Sequence, residues 1–274
     1  MKFESSEAPQ KHNYGPRTIR PIGVASLHSI AFSRQTLYAI DKNRGFLLEI
    51  NPKTDNTTVI NPYQTSEFID VTGISIWKDT LWLTWKNKIY FCLNAIGNLS
   101  EKRLKWQHFF TLPYDANGIA VWESTIYVTC QKLGKIIVFD KDTKQKITGF
   151  YCPGIGFENI TVQKEELWLC DREEQTVYCL ERGTGKVKFS VLTPFESPTG
   201  LAFYQNLTTR ERQLYVAYSG DELYIRDDPN SEKQYELSKR DRTFIHPLYF
   251  YYNEPEKYAV SNSFLIEMSY IEEL

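Results

Sequence analysis

No window of the 274-residue chain approaches 18 uninterrupted apolar residues, so no membrane-spanning helix is expected. Residues 1–15 are polar and lack the apolar core of a signal peptide, which makes a cytoplasmic setting the expectation. Charge of one sign is missing too. Against 32 Lys and Arg stand 34 Asp and Glu, and a net charge of −2 gives no electrostatic case for a nucleic-acid or membrane partner. Cysteine is sparse: Cys92, Cys130, Cys152, Cys170 and Cys179 include no C-x-x-C pair of the metal-finger or redox kind. Their odd number and their place in apolar runs read as buried free thiols. Phosphate-cradling glycine loops, a G-x-S-x-G elbow and an H-E-x-x-H helix are all absent. The run ERGTGK at 181–186 places Gly183 and Gly185 between two apolar runs, where a hairpin turn needs them.

What the chain does have is a repeat. Residues 117–140 hold three short runs rich in β-branched and aromatic residues, 118–121, 126–130 and 135–139, separated by four-residue turns. A first column recurs as Ser29-Ile30-Ala31, Gly73-Ile74-Ser75, Gly118-Ile119-Ala120, Asn159-Ile160-Thr161, Gly200-Leu201-Ala202 and Pro247-Leu248-Tyr249. A second follows in register: Leu37-Tyr38, Leu81-Trp82, Ile126-Tyr127, Leu167-Trp168, Leu214-Tyr215 and Tyr258-Ala259. The third is 47–50, 89–92, 136–139, 177–180, 223–225 and 265–268, and a weaker fourth run precedes the next copy. One such sheet cannot bury both apolar faces alone, so the copies must stack on each other.

Four strands per copy at this spacing is the period of β-propeller blades. The expectation is an all-β, six-bladed β-propeller with four antiparallel strands per blade. Residues 17–274 would form one domain after a polar tail at 1–16. Residues 18–21 would supply the outer strand of the last blade and so close the ring. The charged stretch 226–242 would be a solvated outer strand and loop of the fifth blade.

In such a ring, starts of first strands and ends of second strands fall on one face. The residues just before each first-column position are His28, Thr72, Asn117, Glu158, Thr199 and His246; those ending each second strand are Asp41, Trp85, Cys130, Asp171, Tyr218 and Asn262. Imidazole, carboxylate and amide groups gathered in one mouth are ligand chemistry for a divalent metal, Ca²⁺ or Mg²⁺ through oxygens and Zn²⁺ through histidine. Asn117 and Glu158 are the candidate metal ligands, and His28 and His246 the candidate acid or base. Thr72, Trp85, Asp41, Asp171, Tyr218 and Asn262 are candidate ligand-binding residues. Polar residues at a propeller mouth also simply meet water, and Asp or Asn ends strands by turn chemistry.

The Gly-Ile-Ala and Ile-Tyr-Val runs of the repeats resemble the blades of the six-bladed NHL, gluconolactonase and virginiamycin B lyase-like propellers. Asn117 before Gly118 resembles the gluconolactonase Asn-Gly ligand motif, and Glu158 with Asn159 stands where that family has Asp-Gly. His28 replaces the family's first-strand glutamate, and no second Asn-Asp-Gly motif occurs around Thr72. Two readings follow. One is a non-catalytic binding module that offers its mouth to a protein, peptide or small ligand, for which a 15% aromatic content provides anchors. The other, implied by the resemblance, is a metal-dependent lactone hydrolase or lyase.

Overall fold

In the second column both the aliphatic residue and the aromatic after it are buried: Leu37 and Tyr38, Leu81 and Trp82, Ile126 and Tyr127, Leu167 and Trp168, Leu214 and Tyr215. Successive side chains on a strand point to opposite faces, so these sheets are covered on both sides. The computed structural model, described for residues 10–11, 14–22, 26–42, 45–51, 59–64, 70–95, 104–193, 197–205, 212–219 and 263–270, shows what covers them.

Five sheets carry the described strands. The first holds β3 (Leu27–Ser33), β4 (Thr36–Asp41), β5 (Phe46–Ile50) and β6 (Val59–Gln64). The second holds β7 (Val71–Trp77), β8 (Thr80–Trp85), β9 (Lys88–Cys92) and β10 (Gln107–Thr111). The third holds β11 (Gly118–Trp122), β12 (Thr125–Cys130), β13 (Lys135–Asp140) and β14 (Lys146–Tyr151). The fourth holds β15 (Phe157–Gln163), β16 (Glu166–Asp171), β17 (Thr176–Glu181) and β18 (Val187–Leu192), with β1 (Gln10–Lys11) added in parallel to β18. The fifth runs β19 (Pro198–Gln205), β20 (Arg212–Tyr218), β21 (Ser263–Tyr270) and β2 (Tyr14–Ile22), every pair antiparallel.

The core is a set of layers between these sheets. Ala31, Tyr38, Ile40 and Leu47 of the first sheet pack on Val71, Ile74, Leu81 and Leu83 of the second. The second meets the third through Trp82 and Ile89 against Ile119, Val121 and Val128. Ala120, Tyr127 and Val138 of the third join Ile160, Leu167 and Leu169 of the fourth. Trp168, Cys170 and Val177 of the fourth join Leu201, Leu214 and Ile266 of the fifth. The fifth then returns to the first, with Tyr204, Tyr215 and Leu265 on Ile30, Leu37 and Leu48. Phe32 sits between the rings of Tyr204 and Tyr215, 5.4 and 5.1 Å away. Consecutive contacts returning to the start make a closed β-propeller, an architecture that leaves only short edges to solvent.

The ring has five blades, which corrects the expected six. Residues 265–268, read as the third strand of a sixth blade, lie in β21, which pairs directly with β20 from Leu214↔Met268 to Tyr218↔Phe264. They are therefore the third strand of blade five. Nor is there room for another inner strand: a Cβ on Gly200 of β19 would stand 3.1 Å from the backbone of Ile30 and Ser29 in β3. The expected closure by an N-terminal strand is present, longer than 18–21, as β2 along β21. Residues 220–262 lie outside the described residues, and with them the expected strands at 223–225, 247–249 and 258–259 and the charged stretch 226–242. Among the described residues no helix is long and apolar enough to cross a membrane.

Candidate functional site at the axial mouth

Each inner strand is the terminal strand of its sheet, so one edge of it faces the axis. Near its start the ladder slips in four of the five. The register shifts between His28 and Ile30, Val71 and Gly73, Phe157 and Ile160, and Pro198 and Gly200. A bulge of this kind re-aims the side chains it releases. Here it frees Ser29, Thr72, Glu158, Asn159 and Thr199, which include three of the expected mouth residues.

Two of them tie blades together. Thr72 Oγ1 donates to the Ala116 carbonyl at 2.7 Å, ahead of blade three, and lies 3.1 Å from Thr84 Oγ1. Thr199 Oγ1 donates to the Leu27 carbonyl of blade one at 2.8 Å. Thr129 Oγ1 makes the same kind of bond to the Glu158 carbonyl at 3.2 Å. Asn117 serves the loop after β12: its Oδ1 accepts from Gln131 N at 2.9 Å and its Nδ2 lies 3.4 Å from Gln131 Oε1. Asp171 is buried and accepts from the backbone N–H groups of Gly156, Glu173 and Glu174, each at 2.9 Å. Gly154 lets it do so, since a Cβ there would fall 1.9 Å from Asp171 Oδ2. Asp41, Cys130 and Tyr218 are buried at the ends of β4, β12 and β20. Trp85 is half-buried under the ammonium groups of Lys86 and Lys88, 5.0 and 5.8 Å from its ring. His246 and Asn262 lie outside the described residues.

His28 and Glu158 are left, and each meets a cation. Lys42 Nζ lies 3.4 Å from His28 Nε2, and Arg172 Nη1 lies 3.1 Å from Glu158 Oε1. An ammonium can only donate, so Nε2 accepts and the neutral ring carries its proton on Nδ1, a buried atom with no hydrogen-bond partner. Burial above all, with the charges of Lys42 and then Arg172, holds the His28 imidazole neutral down to about 3. Glu158 and His28 directly precede Asn159 and Ser29, whose side chains are hydrogen-bonded to each other, so the two pairs lie at the same mouth of the ring. Its floor is a bond across the axis: Asn159 Nδ2 donates to Ser29 Oγ, which also accepts from Ile74 N of blade two at 2.8 Å.

Lys42 and Arg172 were not singled out in the sequence. Both sit one residue beyond the end of the second strand, a column that reads Lys42, Lys86, Gln131, Arg172 and Ser219. Four long polar side chains in five copies were the available signal. The expected metal ligands are engaged, Asn117 by Gln131 and Glu158 by a guanidinium that a bound cation would have to displace. Among the described residues no three His, Cys, Asp or Glu side chains stand where one ion would bind them. This donor set fits hydrogen-bonded anchoring of a ligand better than a divalent ion.

No protein-family model matches the chain, and no curated protein matches it in sequence. Solved structures do match in shape. The glutaminyl cyclase of Myxococcus xanthus superposes with a TM-score of 0.61 at 8% identity, over 76% of this chain and 93% of that one. A luciferin-regenerating enzyme superposes with a TM-score of 0.54 at 13% identity, over 93% and 95% of the two chains. A streptogramin B lyase gives 0.45 at 13% identity over 74% and 66%. At these identities the likeness of the first two is one of fold, and it agrees with the propeller built above.

Proposed function

We propose that this propeller is a binding module whose polar axial mouth receives a protein, peptide or small ligand. One observation carries the reading. Two side-chain pairs from blades one and four, His28 with Lys42 and Glu158 with Arg172, flank the Asn159–Ser29 hydrogen bond, and the buried Nδ1 of His28 is left without a partner. A buried polar atom in that state is stabilised by whatever supplies the missing bond. The hydroxyls of Thr72 and Thr199 hold the rim in shape and need no ligand of their own.

Thermal stability of the full chain against a panel of small metabolites and short peptides tests this, followed by titration of each hit against wild type and Arg172→Gln. The expected result is at least one ligand whose affinity falls roughly tenfold or more in the variant, the effect of removing a charged hydrogen-bond donor. Ligands that bind both proteins equally would move the site elsewhere.

A further inference from the structure

We infer that the ring has a second site, at the end of the axis away from the mouth, which takes one small uncharged heteroaromatic ring system. A cavity of about 180 Å³ lies there, and all five inner strands line it with residues later than the column Ser29, Gly73, Gly118, Asn159 and Gly200. It is therefore beyond the Asn159–Ser29 bond as seen from His28 and Glu158. Trp77, Trp122 and Gln163, the last residues of β7, β11 and β15, are half-buried, and the two residues after each of them are exposed. Those strand ends are where the cavity meets solvent.

The lining selects the ligand. Among the described residues no Asp, Glu, Lys, Arg or His lines the cavity, so a charged ligand would lose its hydration without gaining a counter-charge. The volume admits one ring or two fused ones: a cavity of roughly 150 Å³ holds benzene, and sites for drug-sized molecules begin at about 300 Å³. Phe32, Trp77, Trp122 and Phe203 stand around it, with the Trp77 and Trp122 rings 4.7 Å apart, and such rings favour another aromatic through offset or edge contacts. Three polar side chains join them. Ser75 Oγ accepts the Val121 N–H at 2.9 Å and keeps its own O–H to donate, while Thr161 and Gln163 make no side-chain hydrogen bond among the described residues. Each inner strand also turns to the axis a backbone edge that no strand covers. Hydroxyl, amide and backbone groups together donate and accept, so a ring carrying nitrogen, with its N–H or lone pair, fits them better than a hydrocarbon does.

The test titrates the full chain calorimetrically with indole and with adenine, and with cyclohexanol as a saturated-ring control. Wild type is compared with Thr161→Phe, which fills the cavity, and with Gln163→Leu, which removes its amide, circular dichroism confirming that each is folded. At least one of the two heteroaromatic probes is expected to bind wild type, to lose roughly tenfold or more in Thr161→Phe and to lose roughly threefold or more in Gln163→Leu. Adenine alone assigns a ring with several acceptors, and indole alone a ring with a single N–H donor. No binding of either probe, binding no tighter than that of cyclohexanol, or an affinity that Thr161→Phe leaves unchanged overturns the inference. If Thr161→Phe does not fold, Gln163→Leu decides: a loss supports the site, and an unchanged affinity overturns it.

Discussion

Asn159 of blade four donates a hydrogen bond from its Nδ2 to Ser29 Oγ of blade one, across the axis of the ring. Ser29 Oγ also takes the Ile74 N–H of blade two, so one hydroxyl oxygen serves three blades. Ser29→Ala strands both donors in a buried hub, and each stranded group costs about 1–3 kcal/mol. Ser29 also holds a φ of 29°, where glycine is at ease and other residues are not. Ser29→Gly, which loses the hydroxyl but relaxes the backbone, is therefore expected to be less destabilising than Ser29→Ala. Urea unfolding of the two variants checks the order.

The same column explains a second expectation. A Cβ on Gly118 would lie 2.7 Å from the Glu158 carbonyl oxygen and 2.9 Å from Asn159 Cα, both backbone of the next inner strand. Backbone cannot step aside as a side-chain tip can, so Gly118→Ala should cost about 1–3 kcal/mol, the usual range for overpacking. Gly183 in the β17–β18 turn has nothing within 4 Å of the equivalent position. Gly183→Ala should stay within about 0.5 kcal/mol of wild type in the same urea titration.

Much of this was legible in the sequence, for reasons that also set the limit. The aliphatic-aromatic doublets marked every second strand of the ring, because a blade buried on both faces needs apolar side chains on both. The first column, Ser29, Gly73, Gly118, Asn159 and Gly200, was found as a pattern. Its cause is the close approach of neighbouring inner strands, visible only once they are assembled. The blade count went wrong where Pro247-Leu248-Tyr249 and Tyr258-Ala259 imitate the columns, 47 residues on from Gly200 in a chain whose other spacings are shorter. Pairing partners, not apolar content, decide to which blade β21 belongs. In the mouth, His28 and Glu158 were found by position. Their cationic partners carry no strand signal, because Lys42 and Arg172 stand one residue past the ends of β4 and β16.

The cysteines give a third expectation. All five are free; Cys92, Cys130, Cys170 and Cys179 are buried and Cys152 is half-buried. Burial is the leading cause that pushes each thiol up, Cys179 to about 12. Since the thiolate is the reactive form, the folded protein should react only slowly with a thiol reagent at neutral pH. Addition of denaturant should then release five equivalents at once. A fast thiol in the native protein would place one of these residues at an accessible, cation-assisted position that the blades do not offer.

The last expectation concerns acid. His28 stays neutral in the folded protein down to about 3, whereas in the unfolded chain it takes a proton near its ordinary 6.5. Between those two values the unfolded state binds more protons, so stability rises with pH there and is lost as the pH falls. One such proton gives a slope of at most about 1.4 kcal/mol per pH unit. Lys42, Arg172 and the Glu158 carboxylate stand around the imidazole, so a single stability curve mixes several groups. Subtracting the curve of His28→Gln from that of wild type isolates the histidine. The difference should slope between about pH 3 and 6.5 and be flat above; a flat difference throughout would mean that the imidazole is reached by water in the folded ring, and the case for a ligand completing its hydrogen bonds would lose its footing.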